Sequence, residues 1–369
     1  MNLKRVIHSN FNRVYSEYSR KRLLGKLNRD PSYTNVFKTS EKPILLVRIL
    51  GNDLYPRHQA GQTPNNLDFI LKNEPEFDNV RKLFVINRIF NSNKQRLLEE
   101  AVKDHGYETL VVPFDPSSYA EVRFDIDRLG GLAHFTSSEF RSLSEHQSQN
   151  LRILASAPKI RYAMNVNGAR NAALEFGRKL GGWTLPLDGN CFLNEASFEA
   201  ICEDLIKPPH APYIILPMQR LQRFDDVQRP QDMSRATEEP QVAVHVSANE
   251  MFDTWYPYGL MSKTSYFETL GVPGPWDYWK RNQWFPEVKP RSVDWKRFKT
   301  ATAQVFRLPS DDRGGELEKA EKQIKRFESR NIAILGTIAI LDRMHGSKDV
   351  KFHPEILGEE ILRMIEDQL

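Results

Sequence analysis

Asp188-Gly189-Asn190 sets a carboxylate, a residue without a side chain and a carboxamide in a row. Such a triplet can hold a hard divalent cation, manganese or magnesium, and through it the oxygens of a diphosphate. Upstream, Arg170 and Asn171 fall in the first turn of a predicted helix, where a guanidinium would add to the anion-binding character of a helix N-terminus. The alternative for Arg170 is a surface ion pair with Glu175. His245 is a further candidate metal or phosphate contact, with a satisfied core histidine as the other reading.

The elements that must position these residues are legible around them. Ala169, Ala172, Ala173, Phe176 and Leu180 recur with helical spacing, and Gly181-Gly182 supplies a stop. A helix is therefore predicted from about Gly168 to Leu180. Trp183-Thr-Leu-Pro-Leu187 follows as a short buried strand, leaving Asp188 at its carboxyl end, where ligands bind in open α/β sheets. Earlier in the chain, strands are predicted over 44–50, 82–86 and 109–113, with helices around 67–71 and 93–105 between them. This alternation is a parallel βαβ pattern. The first strand ends in Gly51-Asn52-Asp53 and the second in Asn87-Arg88. Further on come a helix at 197–205, strands at 213–218 and 241–246, and helices at 316–330, 331–344 and 354–369.

Arg170-Asn171-x-Ala173, a helix, a glycine, an apolar strand and Asp188-x-Asn190 together resemble the donor segment of inverting, family-two-like nucleotide-sugar glycosyltransferases with the GT-A fold. The resemblance implies a Rossmann-like α/β fold: a central, mostly parallel sheet flanked by helices, here with a basic N-terminal arm and C-terminal helices. It also implies a nucleotide-sugar co-substrate and a divalent metal held by Asp188 and Asn190, to which His245 is the further candidate ligand. Asn190 stands where relatives usually carry a second acid. The nucleoside falls to the ends of the first strands, at Arg48, Asn52, Asp53, Asn87 and Arg88, and the phosphates to Arg170 and Asn171; for Asn87 and Arg88 the other reading is that they simply shape a turn. The catalytic base falls to a carboxylate well beyond the DxD. Asp277, 89 residues after Asp188, is the first choice, with Asp253 and Glu239 behind it. The implied organisation is an arm (1–40), a glycosyltransferase domain (41–300, donor half 41–192, acceptor half 193–300) and a C-terminal helical extension (301–369).

Composition frames that function. The chain has 369 residues, 40% of them apolar, enough for a sizeable core. Net charge is +4, but residues 1–40 carry nine Lys/Arg against Glu17 and Asp30, so the arm alone is +7. With its interleaved apolar residues the arm suits an anionic membrane surface or a solvated tail. No nucleic-acid recognition motif accompanies it. Two cysteines, and a first stretch charged throughout, lead to the expectation of a cytoplasmic protein, peripheral at the inner face of the membrane. The acceptor would be a glycan or a lipid-linked saccharide, as in surface polysaccharide synthesis. The aromatics from Phe252 to Trp284 suit stacking against sugar rings, with a plain loop core as the other reading. Three other functions share features with this reading: a sugar-phosphate transferase, a nucleotidyltransferase, and a non-catalytic carbohydrate-binding or scaffold protein with a decayed metal site. A nucleotidyltransferase would need a Gly-rich phosphate loop after the first strand, and residues 50–62 do not form one.

Overall fold

The computed structural model describes residues 44–207, 211–229, 232–278, 297–309, 319–346 and 359–367. The basic arm, Trp279, Trp284 and the side chain of Asp277 lie outside the described residues.

The first strands are apolar on both faces, and both faces are covered. Strands β1 (Ile44–Leu50), β2 (Val80–Asn87), β3 (Glu108–Val112) and β4 (Trp183–Asp188) form a parallel block in the order β3-β2-β1-β4. Side chains alternate across it. Phe84 and Ile86 pack beneath helices α1 (Gln62–Asn73) and α2 (Ser92–Asp104) through Leu67, Leu71, Leu98 and Val102. Leu45, Val47, Leu83 and Val85 point the other way, onto Ala169 and Ala173 of a later helix. The parallel βαβ expectation holds for this half, and the predicted strands match within two residues at each end.

Beyond β4 the sheet becomes mixed. Strand β5 is Cys191–Phe192, β6 is Tyr213–Arg220, β7 is Glu238–His245, β8 is Phe298–Thr300 and β9 is Val305–Arg307. The path continues β4-β7-β6-β9-β5, with β8 also paired to β6. β7 runs antiparallel to both β4 and β6. Only Gly189 and Asn190 separate β5 from β4 in the chain, yet β5 sits at the far end of the path. The second half of the sheet therefore curls round until β9 meets the chain just after Asp188. Leu308 N–H donates to the Asn190 carbonyl there, at 2.9 Å. A Cβ on Gly189 would fall 2.5 Å from the Ile49 carbonyl oxygen, so this turn must lack a side chain to nest against β1.

Short helices α3 (Pro116–Glu121), α4 (Gly131–Thr136) and α5 (Ser138–Arg141) lead from β3 into the long α6 (Glu145–Met164). Ser144 and Gln147 close a capping box at the start of α6. Asn165, in the left-handed region at φ 45°, breaks α6 from α7 (Val166–Leu180). α7 is buried on more than the predicted stripe. Ala169 and Ala173 meet the parallel strands, while Leu174 packs with Val242, Val244 and Phe252 on the far side. After β5 come α8 (Glu195–Ile206) and, past β7, α9 (Thr264–Leu270). The two helices predicted at 316–330 and 331–344 are one continuous helix, α10 (Lys319–His345), followed by α11 (Glu359–Glu366). α10 is no appendage. Ala333, Ile334, Leu335, Ile338 and Leu341 share a core with Tyr119, Phe124, Phe140 and Ile153 of the segment after β3.

Candidate functional site

β1 and β4 are adjacent and parallel, so Gly51 and Asp188 come to the same edge of the sheet. A Cβ added at Gly51 would meet no atom within 4 Å, which leaves room above the end of β1. Asp188 is 29% exposed at the side chain and both its oxygens are engaged. Oδ1 accepts from Arg170 Nη2 at 2.8 Å. Oδ2 accepts from Gln241 Nε2 at 2.9 Å and from Lys263 Nζ at 3.1 Å. Burial pushes this carboxyl up, but the charges of Lys263 and Arg170, with hydrogen bonds from Arg170 and Gln241, outweigh it and hold the group well below the ordinary carboxylate range.

Each partner is itself held in place. Arg170 faces inward on the first turns of α7, and its Nη1 donates to Asn167 Oδ1 at 2.8 Å. Asn167 Nδ2 in turn donates to the carbonyls of Asp253 and Ser262. Asn171 clasps the backbone of Phe252 at both N–H and carbonyl. Two asparagines of α7 thus staple the 252–262 loop, and Lys263 at its end is carried over Asp188 with only 4% of its side chain exposed. Lys263 also reaches Glu239 Oε1 at 3.2 Å.

A second charged group adjoins the first. Glu238 binds Arg220 and Arg307, each at 2.9 Å. Burial raises the Glu238 carboxyl, but these two guanidiniums outweigh it and bring it down to about 2. Burial likewise opposes the charge on Arg307, and the proximity of Glu238 and Asp188 outweighs it, so that guanidinium titrates above its ordinary value. His58 lies beside Arg57 and Arg307, and burial together with those two cations lowers it to about 4. Arg330 of α10 is lowered by burial and by Arg57, against Tyr258 and Glu239 nearby. The edge of the sheet at β1 and β4 is therefore a compact field of basic side chains threaded by three carboxylates. A small pocket of about 260 Å³ lined by Gln219, Asp226, Arg229, Asp232, Arg235 and Phe306 belongs elsewhere: Gln219 and Phe306 alternate to the opposite face from Arg220 and Arg307.

Several predicted contacts fall outside this field. Arg48 is 2% exposed in the core, where it pairs with Glu74 and donates Nε to the Cys191 carbonyl at 2.9 Å. It ties β1 to the start of β5 instead of facing a nucleoside. Asn87 is buried, donating to the Met164 carbonyl and accepting from Asn165, and the Arg88 guanidinium lies 3.9 Å over the Tyr162 ring. Both lock the α6–α7 junction. Asn52 bridges the Arg88 carbonyl and the Phe90 N–H, and Asp53 binds Thr63 N–H and hydroxyl at the start of α1. Asn171 is spent on the loop. Phe252, Tyr256 and Trp276 are buried core residues, which favours the loop-core reading of those aromatics.

The metal set does not assemble. His245 pairs in register with Trp183, five residues before Asp188 on β4, which puts it about 17 Å away at strand rise. It bonds Ser247 and packs edge-on to Trp183 at 4.9 Å, as a satisfied core histidine does. Among the described residues no group of three or more His, Cys, Asp or Glu could hold a metal ion. Asp188, the one acid of its triplet, already has two cations and an amide on its two oxygens. Of the three candidate bases, Glu239 stands within the charged field. Asp253 is exposed at the loop, its Oδ1 accepting from Trp255 N–H at 2.8 Å. Asp277 belongs to a short 3₁₀ turn whose Trp276 packs on Phe267.

Sequence reasoning missed Lys263 and Gln241. A lone lysine between Ser262 and Thr264 carries no periodicity, and Gln241 reads only as an alternating strand position. No protein-family model matches the chain, and no curated protein matches it.

Proposed function

We propose that this chain is a glycosyltransferase of the GT-A type that moves a sugar from a nucleotide-sugar donor to a hydroxyl of a glycan or lipid-linked acceptor. The observation that carries the reading is the pair of buried cations, Arg170 and Lys263, gathered on Asp188 at the carboxyl ends of two adjacent parallel strands. Anionic ligands bind at that edge of α/β sheets, and a departing diphosphate needs positive charge where its own charge grows.

In the reaction proposed, the acceptor oxygen attacks the anomeric carbon. The bond from that carbon to the phosphate oxygen breaks, and the nucleoside diphosphate leaves with its electron pair. The hydroxyl proton passes to a carboxylate, a role that Glu239 takes in this reading because it stands beside Lys263 at 3.2 Å and is 38% exposed at the side chain. Asp188 is a positioning residue, holding Arg170, Gln241 and Lys263 in one arrangement. The +7 arm would add attraction to an anionic membrane surface bearing the acceptor.

The test is a thermal-unfolding and turnover screen of the full chain against a panel of nucleotide sugars. At least one donor is expected to raise the midpoint and to release its nucleoside diphosphate when an acceptor is present. Glu239→Gln is expected to keep donor binding and lower turnover by about a hundredfold or more, with Asp253→Asn and Asp277→Asn run in parallel. A chain that neither binds nor turns over any donor is not a glycosyltransferase.

A further inference from the structure

We propose that the donor diphosphate is taken directly by the protein's own cations, Lys263 and Arg170 foremost, with no divalent ion between phosphate and protein. The inference rests on the glycosyl-transfer reading and changes what neutralises the leaving group.

The donor set argues against a metal. To bind Asp188, a dication would have to displace Arg170 and Lys263, leaving two buried cations short of their counter-charge. Removing one partner from a buried pair is costly, and here the incoming ion would repel both cations it displaced. Gln241 adds a third donor to the same carboxylate. Neither His245, about five strand positions away, nor another acid of the triplet joins to offset this.

The charge count argues for an anion. Besides Arg170 and Lys263, the field holds Arg57, Arg220, Arg307 and Arg330. Asp188, Glu238 and Glu239 are threaded among these cations, and the two cations on Asp188 are both buried. His58, lowered to about 4, adds none at neutral pH. Donors also remain to be used. Arg170 Nε and Arg307 Nε are buried with no acceptor among the described residues. Two of the three Lys263 ammonium hydrogens are accounted for by Asp188 and Glu239, which leaves one for a phosphate oxygen.

Calorimetric titration of the full chain with UDP, GDP, ADP and dTDP, in EDTA and again in Mn²⁺, decides the matter. Binding of one of them with Kd in EDTA within about threefold of that in Mn²⁺ is expected, with a strong salt dependence. Lys263→Met is expected to weaken binding in EDTA by about tenfold or more and Lys263→Arg by much less, with circular dichroism confirming both folds. Binding seen only with Mn²⁺ overturns this inference and leaves the glycosyltransferase reading standing. Binding in EDTA that folded Lys263→Met does not weaken also overturns it. If no nucleoside diphosphate binds in either buffer, both readings fall.

Discussion

Asp188 and Arg170 could be singled out from the sequence because a strand-end acid and a helix-start arginine each sit at a recognisable boundary, but what they do there depends on Lys263, 75 residues beyond Asp188. A lysine in a loop has no pattern to announce it. The same holds for His58, whose unusual state comes first from the burial that folding imposes and then from the charges of its chain neighbour Arg57 and of Arg307, 249 residues on. His58 titrates at about 4 in the fold against an ordinary 6.5, so between those values the unfolded chain takes up a proton that the folded chain refuses. Stability therefore falls as pH drops from 6.5 towards 4. Glu238 continues the trend: its folded carboxyl titrates at about 2 against 4.5, so the stabilisation by Arg220 and Arg307 is present above 4.5 and is lost on the way down to 2. Urea midpoints measured from pH 8 to pH 4 are expected to decline below 6.5 by an amount equivalent to about 2 kcal/mol from His58 after allowance for its partial exposure. His58→Gln should flatten the curve between 6.5 and 5 and leave the steeper acid limb in place. A variant curve parallel to that of the unmodified chain would show that His58 is not the group responsible.

At the scale of elements, most boundaries follow from local chemistry. The apolar runs of β1, β2 and β4, the Asn91 cap of α2 and the glycines after Leu180 each mark an end that the fold respects. Periodicity falls short on α7: it shows one stripe, and two sides are covered. The second side is visible only once β7 and the 252–262 loop are known to lie there. Gly177 shows how close the packing is: a Cβ at that position would stand 1.8 Å from Thr184 Oγ1 and 3.0 Å from Thr184 Cβ. A χ1 rotation would carry Thr184 Oγ1 away, but the Cγ2 methyl already stands at 3.2 Å and Cβ is fixed to the β4 backbone. Gly177→Ala is therefore expected to push α7 off β4 and cost about 1–3 kcal/mol, even though alanine is the better helix former. Chemical denaturation measures this. A neutral or stabilising result would mean that α7 sits farther from β4 than 3.0 Å at Cβ implies. Because Arg170 rides on the same helix two turns earlier, nucleotide affinity is expected to fall with it.

Across the whole molecule, the segment after β3 and the C-terminal α10 build one core, though nearly the length of a domain separates them in sequence. Periodicity can say that α10 has an apolar face and cannot say what covers it. The charged stretch 316–330 and the apolar stretch 331–344 read as two helices because their compositions differ, yet Lys319–His345 is one helix, with Ala333 to Leu341 buried. Lys159 seals that core: its ammonium lies 2.8 Å from Asp342 and 4.1 Å from the Tyr119 ring centroid, with 1% of the side chain exposed. The same helix carries Arg330 to the charged edge of the sheet, so α10 joins the stability of one half of the molecule to the electrostatics of the other. These two roles are separable, because Ile338 lies eight residues from Arg330, about 12 Å along the axis, and is fully buried in the shared core. Ile338→Ala removes three buried carbons from a well-packed site and is expected to cost about 2–5 kcal/mol. Arg330→Gln is expected to lower the urea midpoint less than Ile338→Ala does and to weaken nucleoside diphosphate binding several-fold, by removing about one unit of positive charge near the phosphates. Urea denaturation and calorimetry on the two variants, below the transition where each is still folded, test the division. If Ile338→Ala loses affinity in proportion to stability, the core and the charged field are one cooperative unit and α10 cannot be assigned two roles.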